Sequence, residues 1–530
     1  MASAPLAAVI DGYLELRWQL DPVAATAAGA HEHDDRWADR SVPAVRTLGA
    51  ALRSYTLSLE EESADSLEDE IDRTAALHSA RHDLELLEHW RPYARDPAWH
   101  LRHLLDGFYV LLLTLPHDPA RRTRSLLARL QATPAYLEMA MAALTDPAAV
   151  HVETARAMLP GALEIVRHGI PASPLHAGSL EPGALDEALG ASVDALLAFG
   201  DWLHLASDTA TGEFAVGRRL YDRMLHTAHM IQDGADELAR YGERLRAEAE
   251  GELETVADRI APGVSWRTLA VEFDAEAPPD DPLRFLEAEI ADAREFVRRH
   301  DVLGLPDQPL AVEETPAYLL PLVPLAAYVP AGALEADQTG HFLVSAQASA
   351  NGQGRTPADL AVIAVHEAIP GHHTHMSLAN RLPRPARRLL FSPVMVEGWA
   401  LYAESLLAEL GFFDDPRRRF AQLRLLRWRA IRIELDVGLH TRGLSPDEAA
   451  ARLRDDVGLS AEAALSEIRR QCAMPTYAAS YAAGRREILA LRDAARARSP
   501  EQFSLRAFHD ELMTYGRLPV ALARWGMGLA

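Results

Sequence analysis

The sequence contains no lysine; all 53 basic side chains are arginine. Schiff-base chemistry on a lysine and a Walker-type phosphate lysine are therefore excluded. There is one cysteine, Cys472. It excludes an intrachain disulfide framework and any cysteine-rich zinc site, and a lone buried thiol is the expectation. No run of ~18 or more uncharged apolar residues occurs, so no membrane span is expected. The opening MASAPLAAVIDGYLELRWQLD has no basic segment ahead of an apolar one, and a cytoplasmic location is the expectation. Positive charge is scarce: 53 basic against 77 acidic residues give a net charge of −24. That balance argues against a nucleic-acid partner, whose phosphates need cationic neutralisation, and against an anionic membrane surface. An acidic total still leaves room for a local basic patch.

What is present is a large globular composition, 530 residues with 48% hydrophobic and 25% charged. A chain of this length exceeds one small core, so two or more lobes are expected. Most of residues 1–300 reads as helix. Leu84, Leu86 and Leu87 lie in an Ala/Leu/Glu/Arg-rich stretch, and Leu238, Leu245, Leu253 and Val256 recur at helical spacing between Asp236 and Ile260. Breaks fall near Pro116–Pro119, Pro171–Pro174 and Ala261–Gly263. The acidic run Glu60, Glu61, Glu62, Asp65, Glu68, Asp69, Glu70, Asp72 reads as a solvated helix face or loop. Composition changes at Gly304–Pro309, which divides the chain into a helical region 1–305 and a second region 306–530. The weakly charged stretch Tyr318–Pro330 follows, then His341–Ser345 as a short strand, then helix from Pro357 onward. The expected fold class is mostly α with a small β element.

The chemistry concentrates in TPADLAVIAVHEAIPGHHTHMSLAN, residues 356–380. Thr356 suits a helix N-cap, Pro357 the first helical position, and Asp359 the positive helix end. The helix runs into His366-Glu367, the start of an HExxH-type zinc motif. In that motif two histidines four apart hold the metal and the glutamate acts as base. Four residues after His366, however, stands Pro370. Deleting Pro370-Gly371 turns HEAIPGHH into HEAIHH and makes His372 the second histidine. Proline removes a backbone donor and glycine accepts unusual dihedrals, so a helix bulge is expected to return His372 to the side of His366. His373 and His375 are expected to lie outside the ligand set.

Ser392-Pro393 opens another helix, SPVMVEGWALYAESLLAELG, with Gly411 as its C-terminal stop. Glu397 and Glu404 share one face of it. A carboxylate among Val394, Trp399, Leu401 and Leu406 needs a partner, either a metal or a buried arginine. Glu397 is the expected third ligand. Glu404, two turns on, is the expected acceptor for a ligand histidine.

HEAIPGHH at 366–373 and EGWALYAE at 397–404 resemble the two central motifs of the bacterial domain-of-unknown-function 885 family, distant relatives of the glutamate-zincin peptidases. The resemblance continues in order through DPVAATAAGAHEHDDRWADRS at 21–41, RAIRIELDVGLHTRGLSPDEAAARL at 429–453, PTYAASYAAGRREILALR at 475–492 and FHDELMTYGRLPVALA at 508–523. It implies a helical, two-lobed protein with a deep cleft and one zinc ion, ligated by His366, His372 and Glu397 with Glu367 as base. It also places Tyr481 at the family's tyrosine. The chain departs from relatives in ending FLVS on Ser345, where asparagine is frequent, and in the pair Arg485-Arg486.

Amide hydrolysis generates an oxyanion that needs a donor besides the metal. Tyr481 is the first candidate, with Tyr477 one turn away on the same face. His440 and His509 are secondary candidates. Arg485 or Arg486 suits a substrate carboxylate, Arg432 and Asp436 are spaced to pair with each other, and the strand 341–345 is a candidate for strand addition by an extended peptide. The expected function is a zinc-dependent hydrolase of a short peptide. A hydrolase of a non-peptide amide metabolite and a metal-free helical binding protein are the two rival readings.

Overall fold

The computed structural model describes residues 4–113, 118–179, 182–319, 326–345 and 356–529. The break expected at Pro116 and residues 320–325 of the weakly charged stretch lie outside them. The described chain is mostly helical with one three-stranded sheet. It divides into two compact units.

One unit comprises Met1–Phe214, Thr315–Pro324 and Ala331–Asp337. Its opening motif is a capped helix: Asp21 accepts from the Ala24 N–H at 3.0 Å, and Gly29 ends the helix at φ 93°. Thr26 Oγ1 accepts from the fully buried Arg129, whose guanidinium also donates to Gly107 O and lies 5.2 Å from the Trp37 ring centre. This motif builds the unit's core; it holds no part of the histidine–glutamate cluster described below. Helices Val42–Glu61 and Leu67–Glu85 pack side by side, each started by a serine, Ser41 and Ser66. The acidic run between them is only partly solvated. Glu60 pairs with Arg81 and Glu70 with Arg73, whereas Asp69 and Asp72 are buried beside Ile71 and Ala75 on the core face of the second helix.

The other unit comprises Ala215–Glu314, Leu325–Pro330 and Gln338–Ala530. The composition change near residue 305 lies within it, between helix Pro282–Arg299 and the first strand. Helix Ala235–Ile260 lies along Pro416–Thr441, with Gly242 so close that a Cβ there would be 3.0 Å from Ile433 Cβ. Leu253, Val256, Trp266, Phe420 and Leu423 close the far end as one apolar cluster. Each such side chain taken out of water contributes about 1.5–3 kcal/mol. Cys472 is buried and in no disulfide.

The sheet contains β1 (Leu310–Glu314), β2 (Ala326–Val329) and β3 (Gly340–Val344) in the order β1-β3-β2. β3 runs parallel to β1, from Leu310 opposite Gly340 to Glu314 opposite Val344, and antiparallel to β2, from Ala326 opposite Val344 to Val329 opposite His341. The strand is where the sequence predicts it, but strand addition to it is overturned: β3 is central, and both its edges are already paired.

Candidate metal centre

Four helices build the site. The histidine helix, Pro357–Glu367, begins at a reciprocal capping box in which Thr356 Oγ1 accepts from Asp359 N–H and Asp359 Oδ2 accepts from Thr356 N–H. Leu360, Ala361, Val362, Ala364 and Val365 bury most of its circumference, which fixes it within the core. The helix then stops. Ala368 leaves helical geometry at φ −112°, ψ −92°, the Ile369–Pro370 bond is cis, and a new helix runs His372–Asn380. The expected bulge in one continuous helix is therefore a break between two. Pro370 has no N–H to continue the ladder, and Gly371 folds back to donate to Val365 O at 3.0 Å. A Cβ at Gly371 would lie 1.9 Å from His366 O, so no other residue fits this return. Trp399 Nε1 donates to Pro370 O at 2.7 Å and pins the loop from the third helix, Pro393–Glu409.

The loop brings the two histidines together. Their rings meet edge to face with centres 4.8 Å apart. His366 Nε2 lies 4.0 Å and His372 Nε2 3.4 Å from Glu397 Oε2. One potential ligand atom from each of His366, His372 and Glu397 falls within 4.8 Å of the others, and all three residues are buried. The far sides of two of these groups are held. His366 Nδ1–H donates to the fully buried Glu404 Oε1 at 2.7 Å, which fixes the tautomer and leaves Nε2 facing the cluster. Tyr477 O–H donates to Glu397 Oε1 at 2.7 Å, leaving Oε2 toward the histidines.

Burial alone would raise the Glu397 carboxyl and lower the His372 ring; their contact reverses both, holding Glu397 at about 2 and pushing His372 above its ordinary value. Glu367 is half-buried at the end of the histidine helix, and its charge acts on both His372 and Tyr328.

The fourth helix, Tyr477–Arg498, crosses the glutamate helix at two glycines. A Cβ on Gly484 would lie 1.9 Å from Val394 O, and one on Gly398 2.5 Å from Gly484 Cα. This backbone contact places both tyrosines at the cluster. Tyr481 is buried and stacks 6.4 Å from the His366 ring at 11°. Its hydroxyl has no hydrogen-bond partner among the described residues, unlike that of Tyr477. Burial, then the Glu397 charge, push the Tyr481 hydroxyl up to about 12, so it stays protonated near neutrality.

Other predicted residues lie elsewhere. His373 donates from Nε2 to Gln308 O and accepts at Nδ1 from Tyr328 O–H, tying its helix to the β element; burial lowers it to about 4. His375 is buried, with Nε2 donating to Gly516 O. His440 donates to Gln471 O at 2.9 Å. His509 donates to Val302 O and accepts from Tyr402 O–H. Ser345 is buried just after β3, with no hydrogen bond to the cluster among the described residues. Arg485 donates to Ser405 Oγ at 2.7 Å, and Arg486 pairs with Asp233 and Glu487. Neither arginine has a polar contact with the cluster.

Arg432 and Asp436 do not pair with each other. Arg432 is bound to Glu467 at 2.7 Å and its guanidinium lies 5.3 Å from the Tyr481 ring centre; Asp436 accepts from Tyr221 O–H at 2.7 Å and Thr476 N–H at 3.1 Å. Sequence reasoning also passed over Trp399 as plain core. Its signal was the indole N–H, which needs an acceptor when buried. Gly371, Gly398 and Gly484 were visible only as small residues inside the motifs.

The fold is shared with two solved structures. One, from Shewanella oneidensis and described as "a putative lipoprotein of unknown function", aligns with TM-score 0.82 and 22% identity over 99% of this chain and 100% of that one. The other, described as "the putative lipoprotein from Colwellia psychrerythraea", aligns with TM-score 0.84 and 18% identity over 99% and 98%. No described helix of this chain is long and apolar enough to cross a membrane. No protein of curated description matches. A family model described as "Bacterial protein of unknown function (DUF885)" matches residues 22–527, and the chain belongs to that family.

Proposed function

We propose that this chain is a zinc-dependent hydrolase that cleaves an amide bond in a short peptide. The observation that carries the proposal is the buried convergence of His366, His372 and Glu397, with Glu404 and Tyr477 orienting two of them from behind. The donor set fits the ion. Two imidazole nitrogens and one carboxylate oxygen are the protein ligands of hydrolytic zinc sites that keep a position open. Among the described residues Glu397 has no arginine partner; the histidines and Tyr477 are what face its carboxylate.

When bound, zinc supplies a Lewis acid that acidifies a coordinated water and polarises a carbonyl. The chain's own residues do the rest. Glu367, next to His366 in the chain, takes the proton from the attacking water and returns it to the leaving amine. Tyr481, with its hydroxyl protonated and unengaged, donates to the oxyanion. Tyr477 is committed to Glu397 and serves orientation. The peptide substrate follows from the resemblance to glutamate zincins.

The test is metal analysis of the purified protein combined with turnover of a dipeptide and tripeptide library. One zinc per chain with cleavage of library members is expected. Protein that takes up no zinc overturns the reading; protein that binds zinc but cleaves no peptide removes the peptide substrate and leaves the metal centre.

A further inference from the structure

The first unit contains a cavity of about 780 Å³, within the range of small-molecule sites. Apolar side chains make much of its wall, among them Val42, Val45, Leu87 and Met139. Arginine supplies its charge. Arg40, Arg46, Arg53 and Arg91 all line it, against one carboxylate, Glu88, which is paired with Arg53. In a chain of net charge −24 this is a local inversion of sign.

Arg40 is the informative member. It is 8% exposed, yet no carboxylate lies within ion-pair distance of it among the described residues. Its guanidinium donates to Leu20 O and Asp39 O and lies 5.5 Å from the Trp99 ring centre. Burial lowers its pKa, and the more distant charges of Asp21 and Asp39 offset that only in part. Arg46 and Arg91, both exposed, also lack a carboxylate partner among the described residues. Arg91 is held at φ 54° between two helical segments. The N-terminus of the 20-residue helix Val42–Glu61 opens onto the same space through Ser41, Val42 and Pro43, adding partial positive charge.

An apolar chamber with unpaired guanidinium groups matches one ligand chemistry, a carboxylate head on an apolar body. We propose that this cavity binds a small amphipathic carboxylate of the medium-chain fatty-acid type, with the head at Arg40, Arg46 and Arg91 and the tail against Leu87 and Met139. The site rests on residues separate from the metal cluster and does not depend on the hydrolase reading.

Calorimetric titration of the full chain with decanoate, decylamine and inorganic phosphate tests it. Decanoate is expected to bind with one site per chain, and more weakly as salt is raised; decylamine and phosphate are expected not to bind. Exchanging the two exposed arginines, Arg46→Ser with Arg91→Ser, is expected to weaken decanoate at least tenfold without altering the melting temperature. Met139→Trp, which fills the chamber, is expected to abolish decanoate binding. No decanoate binding at millimolar concentration, equal binding of decylamine, phosphate binding as tight as decanoate, or full decanoate affinity in both variants would each overturn the proposal.

Discussion

Among the described residues two places gather histidine and glutamate side chains closely enough to suggest a cation, and they differ in what surrounds them. His366, His372 and Glu397 are buried, and Glu404 and Tyr477 hold two of them from behind. In the first unit His33 lies 3.3 Å from Glu15 and 4.0 Å from Glu32, but those glutamates are 51% and 66% exposed. Both glutamates must surrender rotamer freedom and hydration to close on an ion, and among the described residues no second side chain is hydrogen-bonded to either carboxylate to orient it. Proximity of donors is common; donors whose free rotation has been removed before the ion arrives are rare, and only the first cluster has them.

The contrast can be broken by experiment. The largest effect is expected from His372→Ala, which should take zinc content from one per chain to none and abolish turnover; retention of stoichiometric zinc would remove His372 from the ligand set. Glu367→Gln should cost about a thousandfold in kcat with zinc content unchanged, and near-normal turnover would exclude Glu367 as base. Glu404→Gln and Tyr477→Phe should each weaken zinc by roughly 10–100-fold, measured by competition with a chelator. Unchanged affinity in both would mean that orientation from behind is not what separates the two clusters.

A fourth test concerns the scaffold of the buried cluster. Asp436 anchors Thr476 N–H, just ahead of Tyr477, and burial raises its carboxyl to about 7. Its folded pKa lies above its unfolded one, so the folded state binds the extra proton. Stability is then full below about pH 4 and falls as pH rises to about 7, by an amount on the order of a few kcal/mol. Asp436→Asn should flatten that stretch of a melting-temperature profile, and a profile identical to that of the parent would show that Asp436 titrates elsewhere. The smallest effect is expected from His33→Ala, with zinc remaining at one per chain; loss of zinc there would erase the contrast.

Much of this was legible in the chain. Thr356, Pro357 and Asp359 announce the histidine helix, and the spacing of HEAIPGHH and EGWALYAE picks out the three residues that converge. Local signals suffice because these helices are capped by their own residues and are apolar almost all round. What was not legible depends on partners distant in sequence. Arg432 chooses Glu467 over the nearer Asp436, and Asp436 in turn answers Tyr221, 215 residues away. The sheet order puts β3 between two strands, which no alternation within His341–Ser345 reveals. The helix break at Pro370 was readable as a disturbance but not as a stop, because the return that follows it rests on Gly371 packing against the His366 carbonyl, a contact that spacing alone does not show.

The crossing of Gly398 over Gly484 behaves as a bearing with no clearance. Backbone meets backbone there, so neither glycine can carry a Cβ unless the two helices move apart. Glu397 is one residue from the contact on one helix and Tyr481 three residues from it on the other, so both sit on short lever arms. Substitution of either glycine by alanine would shift the hydroxyl of Tyr481 and the carboxylate of Glu397 out of alignment together. On the proposed function, such a lesion would register as lost turnover in a protein that still carries His366, Glu367, His372, Glu397 and Tyr481 unchanged.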